Sequence, residues 1–504
     1  FFDTFEGNFT NIAVAGPFQG ENYLASFFGR VNYDFAKKYL FTVNARRDGY
    51  SAFANKFRNF YGASAGYVIS EEGFWKNVSG LNKLNFLKLT GSFGNVGNGL
   101  GVDDFVSLRT YESSLYGANP TLYFSQPGSR DLSWETSKKT DIGLSFGAFD
   151  DRVRGEFTYY QNLLDGLILR VPQAPSRGIP GGAPGDVTNI NINSILRNVG
   201  SMRNTGVELS LSFNAVKTTN FSWTINGNLT TLKNEVLDLA FEGQRIGTAT
   251  SGLETVNYSQ AGRSVGELLA VRSLGVNPEN GRRLVQLRNA DGTTTVVQYN
   301  HLSSATGNGW TTLDGQNSRA PSQLVDGEYF GPTLPKWYGG FDNTFTFKGF
   351  DLGIFLQYSG GNYIYNGTKA GLHDQRFWNN DSDILDRWTP QNTGGSWPRV
   401  VFGDNVSNGS ALVMSENIEK GDFVRLRNVA LGYTINSGVL SRYNVASARI
   451  YAQVQNAALL TKYSGIDPEI STNSTGTSSN TGTGIDRNSV GQARTLTVGL
   501  NIGF

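Results

Sequence analysis

The sequence contains no cysteine, so it holds no disulfide, no thiolate-bound zinc or iron–sulfur centre and no thiol nucleophile. Its only histidines are His301 and His373, and an imidazole-rich metal site or a Ser-His-Asp triad would have to draw on those two. Methionine is scarce at 2 and proline at 14 in 504 residues. No uninterrupted apolar run reaches the roughly 18 residues that a membrane-crossing helix needs. Neither charge sign dominates: 43 Lys+Arg oppose 42 Asp+Glu, so electrostatics names no partner and no nucleic acid is expected. Charged residues make up only 17%, which argues against a disordered tail protein. The chain opens FFDTFEGNFT, without an initiator Met or a signal-peptide pattern.

What is abundant points elsewhere. Glycine reaches 62 and aromatics 12%, with Phe at 33 and Tyr at 22, a composition suited to strands rather than helices. The mean hydropathy of −0.30 is no obstacle to a membrane barrel, whose strands are apolar only at every second residue.

The dominant pattern has period two. At the C-terminus, Leu496, Val498, Leu500, Ile502 and Phe504 fall on one face, while Thr495, Thr497, Gly499, Asn501 and Gly503 fall on the other. Val207, Leu209, Leu211 and Phe213 alternate with Glu208, Ser210, Ser212 and Asn214. Similar alternation marks Phe221–Thr230, Asp351–Tyr358, Asp141–Phe146 and Arg449–Gln455. One such strand fits a soluble sandwich as well as a barrel. The connections discriminate: short ones near Ala36–Lys38, Phe149–Asp151, Val216–Thr219 and Lys348–Phe350 largely alternate with long ones near 96–133, 164–202, 235–335, 361–420 and 461–490. Outer-membrane barrels have this asymmetry of tight periplasmic turns and long external loops. The connection near 71–82 is longer than a tight turn and fits less well.

The fold expected is therefore all-β, an antiparallel transmembrane β-barrel. Roughly 13 strands are read, near 20–34, 39–50, 59–70, 83–95, 134–148, 152–163, 203–214, 220–233, 336–348, 351–360, 421–435, 446–460 and 491–504. The segment 235–335 is expected to carry small hairpins of its own, such as Arg282–Leu287 with Thr294–Tyr299. An odd count whose first strand starts on the outer side implies that N-terminal strands are missing, because single-chain barrels usually have an even number. Tyr23, Phe27 and Tyr33, and likewise Trp337, Phe341, Phe345 and Phe347, share faces suited to interfacial aromatic girdles.

Several segments resemble the SusC/RagA family of TonB-dependent outer-membrane transporters. They include YLASFFGRVNYDFAKKYLFTVNARRDGYSAF (23–53), LNFLKLTGSFGNVGN (84–98) and DLSWETSKKTDIGLSFGAFDDRVRGEFTYY (131–160). NVGSMRNTGVELSLSF (198–213), LDRWTPQN (385–392) and GDFVRLRNVALGYTI (421–435) continue the match in the family's order. The resemblance implies a whole barrel of about 22 strands, an N-terminal plug and a TonB-contacting segment, and the plug, that segment and the first strands are expected to lie outside the sequence read. It implies import of glycans or peptides, with a SusD-like lipoprotein as lid. The aromatic C-terminus, Leu500, Ile502 and Phe504, resembles the signal read by the barrel-assembly machinery, and the apolar faces are expected to meet outer-membrane lipid.

Candidate contacts for a glycan or peptide are the loop aromatics Trp310, Tyr363, Tyr365, Phe377, Trp378 and Trp397, because rings stack on apolar ligand faces. Packing of the loops is the competing role for most of them, and for Trp388. Asp381, Asp383 and Asp386 could supply Ca²⁺ oxygens but lack EF-hand spacing, so a solvated loop is expected, as for Asp103 and Asp104. GNVGNGLG (94–101) lacks the Lys-Ser/Thr pair of a phosphate loop, and STNSTGTSSNTGTG (471–484) reads as an external low-complexity loop. Arg425 and Arg427 are expected to pair with carboxylates, with substrate steering second. No cofactor, resident metal or catalytic residue is expected. Active import, a passive porin-like channel, an outer-membrane enzyme and an adhesive or structural envelope component remain the functions to separate.

Overall fold

A computed structural model describes residues 20–78, 80–99, 102, 104–116, 119–126, 128–173, 194–249, 255–305, 307, 309–376, 378–435, 438, 445–472 and 481–503. Phe377, Phe504 and Asp103 lie outside the described residues. The chain divides into two compact units, the first built from Phe1–Ala148, Phe157–Thr205 and Glu235–Gln244, the second from Phe149–Glu156, Gly206–Asn234 and Arg245–Phe504.

The first unit holds the antiparallel strands β1 (Leu24–Phe35), β2 (Tyr39–Tyr50), β3 (Phe57–Val68), β4 (Phe86–Asn98) and β5 (Glu135–Ala148), hydrogen-bonded in that order. It also takes most of β6 (Val153–Pro172) and the first half of β7 (Ser194–Lys217). Register sorts side chains by type. Tyr33, Phe41, Ala65, Gly91 and Ile142 line up across β1–β5, while one residue earlier or later Asn32, Thr42, Ser64, Ser92 and Asp141 do the same on the opposite face. Thr42 donates to Asn32 at 3.0 Å and Ser92 to Asp141 at 2.9 Å, so the polar face satisfies itself laterally. The turn after β1 places Ala36 and Lys37 at φ of 54° and 56°, and Tyr39 stacks on Tyr67 at 5.1 Å close to that end. Off the ladder, Phe53, Leu132 and Trp134 close a small apolar core with Phe60 and Val106.

The second unit continues with the end of β7 and with β8 (Phe221–Thr231), β9 (Trp337–Phe347), β10 (Phe350–Gly360), β11 (Phe423–Ile435), β12 (Ser447–Thr461) and β13 (Thr495–Gly503). Lys348 and Gly349, with φ of 45° and 92°, make the two-residue turn that the right-handed twist of a hairpin favours. Leu352, Leu431, Ala452 and Val498 form one apolar row, and Ile354, Val429, Val454 and Leu496 the next. Leu431 is 51% exposed and Val498 72%, so this face is not covered by the chain itself. An apolar face of that extent is costly in water and suited to hydrocarbon. Phe350 and Tyr433 meet at 4.6 Å near one end of the face and Trp337 and Tyr358 at 6.2 Å near the other, as expected for aromatics at the two interfaces.

All thirteen expected ladder strands are present. The differences are in length: β6 runs to Pro172 and β7 starts at Ser194, so both ends of the expected loop 164–202 are strand, and 174–193 lie outside the described residues. Beyond a membrane nothing demands strict alternation, and the sequence signal fades while the backbone ladder continues. The long segment after β4 holds a hairpin, Thr110–Tyr116 with Asn119–Gln126. The expected hairpin in the large loop is found as Arg283–Arg288 paired with Thr294–Tyr299.

Candidate functional site

The polar face of the second unit is a ladder of amides, hydroxyls and a few charges. Ser210, Asn228 and Gly340 are in register, as are Ser212, Asn226 and Asp342. Asp351 accepts from Arg449 Nε at 2.9 Å and from Nη2 at 2.5 Å. Thr224 donates to Asn214 at 3.0 Å.

One place on this face breaks parity. Val429 and Leu431 point to the apolar face, and strict alternation would send Arg427 and Arg425 there too. The register shifts between Leu426 and Asn428, with a matching irregularity opposite, where Asn456 takes φ of 52°. A bulge re-aims a side chain in this way. It turns Arg427 to the polar face, where it donates to Gln357 (2.7 Å), Asn456 (2.8 Å), Glu469 (2.9 Å) and Gln492. Arg425, 4% exposed, pairs with Asp467 at 2.5 Å and Glu469 at 2.6 Å. The Asp467-Pro468-Glu469 turn is thereby pinned to the wall of the ladder. The carboxylate pairing expected of both arginines is found, and their partners lie some forty residues away, in a loop with no sequence signal for them.

The three long loops of this unit interlock. Arg245–Ala249, Thr255–Gln260, Glu267–Val271 and Gly327–Gly331 form one four-stranded sheet; Ser273–Val276, Arg283–Arg288, Thr294–Tyr299 and Trp310–Thr312 form another. Tyr363–Asn366 pairs with Ile418–Lys420 on one side and, in parallel, with Ile485–Asp486 on the other. One apolar core joins Val256, Leu268 and Ala270 of the first loop to Tyr365, Ala370 and Val413 of the second and Ile485 of the third. Polar links repeat the pattern. Asn257 donates to the Thr483 carbonyl at 2.9 Å, Tyr463 to Asp486 at 2.7 Å, and Lys369 pairs with Glu419 at 3.2 Å. Burial, reinforced by Asp486, pushes the Tyr463 hydroxyl well above its ordinary range. Burial alone would raise Glu419, but the Ser464 hydroxyl and backbone N–H and the Lys369 ammonium hold it below the ordinary carboxylate value.

The loop aromatics take unequal positions. Tyr365 is fully buried in the shared core, Trp310 packs on Tyr299 at 4.9 Å, and Trp397 stacks on the buried His373 at 3.7 Å. These three therefore serve the loop cores and present no open ring face to a ligand. Tyr363 is half-buried against the same core, closely covering Gly331. Trp378 is 58% exposed. Trp388 donates to the Pro278 carbonyl at 2.9 Å and covers Gly281, a packing role. The acidic cluster is divided rather than convergent: Asp381 caps the turn at Ser382, Asp383 faces His373 Nε2 at 2.5 Å, and Asp386 accepts from Asn392 at 3.1 Å. Among the described residues no group of three His, Asp or Glu side chains is arranged to hold a metal. Leu500 and Ile502, expected in the assembly signal, are exposed on the apolar face of β13.

Comparison with known proteins places this geometry. A family model for "TonB dependent receptor-like, beta-barrel" matches residues 2–457. TonB-dependent receptor P26 of Formosa agariphila is 30% identical over 95% of this chain and 46% of its own length. TonB-dependent receptor SusC of Bacteroides thetaiotaomicron is 28% identical over 96% of this chain and 44% of its own. The chain thus spans less than half the length of these curated relatives. The solved RagAB peptide transporter superposes with a TM-score of 0.75 at 22% identity, over 96% of this chain and 48% of that one.

Proposed function

Because the chain belongs to the TonB dependent receptor-like β-barrel family and so sits in the bacterial outer membrane, we propose that it is part of a receptor that imports oligosaccharides or peptides, energised through TonB and lidded by a SusD-like lipoprotein. The observation that carries this reading is the shared apolar core of three long loops, set at the end of a strand ladder with one apolar and one polar face. A passive pore needs only the ladder. A folded assembly of loops gives a surface on which a cargo can be selected before it passes the polar face. That face, largely amide and hydroxyl, suits cargo whose hydrogen bonds must be replaced one by one in transit. Among the loop aromatics, the exposed ring of Trp378 and the half-buried ring of Tyr363 are proposed for cargo contact.

The test is uptake. Cells carrying the full-length receptor, with and without TonB and with and without any lipoprotein that copurifies, are offered labelled oligosaccharides and peptides. Accumulation that vanishes without TonB supports import. Equal accumulation in both strains would leave a passive channel, and none for any cargo would remove the import reading.

A further inference from the structure

One face of the outer-loop sheet gathers cations around a ring. Arg245 opens the strand Arg245–Ala249 and is paired in register with Gln260; Tyr258 lies opposite Glu267, and Leu269 opposite Tyr329. The Arg263 guanidinium lies 4.0 Å from the centroid of the Tyr329 ring and that of Arg245 lies 5.9 Å from it. Gln260 Oε1 accepts from the Tyr329 hydroxyl at 2.8 Å and from Arg245 Nε at 3.2 Å, which fixes ring and guanidinium together. Arg245 Nη1 is held by the Leu324 carbonyl at 2.6 Å. The turn bearing Arg263 is tied down in turn, because Ser264 Oγ and the Val265 N–H both donate to Asn234 Oδ1.

The charge balance at this face is positive. Glu267 is the carboxylate facing it, and it reaches Arg263 only at 3.4 Å. Burial pushes the Glu267 carboxyl up, against the pull of Arg263 and Lys336. Two guanidiniums gathered on one ring repel each other, and among the described residues Glu267 is the one carboxylate that acts on this ring, so the cost is only partly offset. Arg263 keeps 43% of its side chain exposed, so the cations are open to solvent. Arg245 is fixed by neutral partners and Arg263 is held over the Tyr329 ring, and guanidinium forks so placed are suited to planar oxyanions, which they bind through paired N–H donors.

We propose that Arg245, Arg263 and Tyr329 form a recognition site for a carboxylate group on the cargo, whether a uronic acid of an oligosaccharide or an acidic side chain or terminus of a peptide. Gln260 is the positioning residue. The site deepens the import reading above and rests on it for the word cargo, but binding is measurable without transport.

The full-length receptor is titrated calorimetrically with a uronate tetrasaccharide and its neutral counterpart, and with a glutamate-containing tetrapeptide amide and its glutamine counterpart. The acidic member of at least one pair is expected to bind about tenfold tighter or more, the scale of one or two charge-assisted hydrogen bonds. The pair that shows the preference identifies the source of the carboxylate. In R245Q/R263Q the preference falls towards unity, while R245K/R263K, which keeps charge but loses the fork, retains part of it. The gel mobility of unheated receptor reports whether each variant is folded, and Q260L, with both charges intact, should lose preference to an intermediate degree. Equal binding of acidic and neutral ligands, no binding of either acid, or full preference in folded R245Q/R263Q would overturn the site. Loss of TonB dependence in uptake with the acid preference intact would remove only the import reading.

Discussion

Val429 gives the sharpest test of which face meets lipid. It lies on β11 between Leu431 and the bulge, in register with Ile354 and Val454, and two alternate positions from the Tyr433 ring at the interface. It is therefore close to the middle of the apolar band. An arginine there must either hold its charge in hydrocarbon or stretch to an interface, which costs about 2–4 kcal/mol at mid-depth. The neighbouring Ala430 points the opposite way, in register with Gly353 and Gln453 on the polar face. An arginine at Ala430 meets polar neighbours and is expected to cost less than about 1 kcal/mol. Both variants are made in the full-length receptor, reconstituted in phosphatidylcholine vesicles, and unfolded in urea with tryptophan fluorescence as the signal. V429R should lower stability by the larger amount and A430R by the smaller. Equal costs, or a larger cost for A430R, would refute the face assignment and with it the strand register.

Asp467→Asn removes one of the two carboxylates on the buried Arg425, both side chains being under 5% exposed, and leaves Glu469 to serve Arg425 and Arg427 together; the turn at 467–469 should loosen by less than the about 3–5 kcal/mol of a fully orphaned buried charge, read as faster amide exchange there while the ladder is unchanged. Tyr365→Ala empties the centre of the core shared by three loops at a cost of about 3–5 kcal/mol, so proteolysis should open the segments around Leu268 and Ile485 together; cleavage confined to 361–420 would refute the interlock. Glu419 has a folded pKa depressed below its unfolded 4.5, so its contribution to loop stability is present above 4.5 and is lost as the pH falls through the lower folded value. Exchange at Tyr363–Asn366 should therefore rise in that acid window in the wild type and rise less in E419Q, in which the residue no longer titrates.

Period-two alternation decided the ladder on its own. A residue on one face of a strand is separated by a peptide plane from its neighbours, so lipid on one side and water on the other are written directly into successive letters, as at Leu496–Ile502. The long and short connections gave the polarity of the chain by the same local logic. The bulge at Arg427 is the limit of that reading: the letters put two arginines in phase with Val429 and Leu431, and only the ladder shows where the phase is reset. The fates of the loop aromatics were decided wholly by tertiary contacts. Tyr365 and Trp378 look alike in sequence, both aromatic and both between polar stretches, yet one is the centre of a core and the other is exposed. The difference arises because Ile485, Val256 and Leu268 arrive at Tyr365 from segments about a hundred residues away, and no local pattern encodes such a meeting. The cation face at Tyr329 is the same case, with Arg245, Arg263 and the ring brought together by sheet register across eighty-five positions. Local alternation records the solvent on each side of a strand, whereas a site built between loops depends on closure of the chain over long distances, which is set only when the whole sheet has formed.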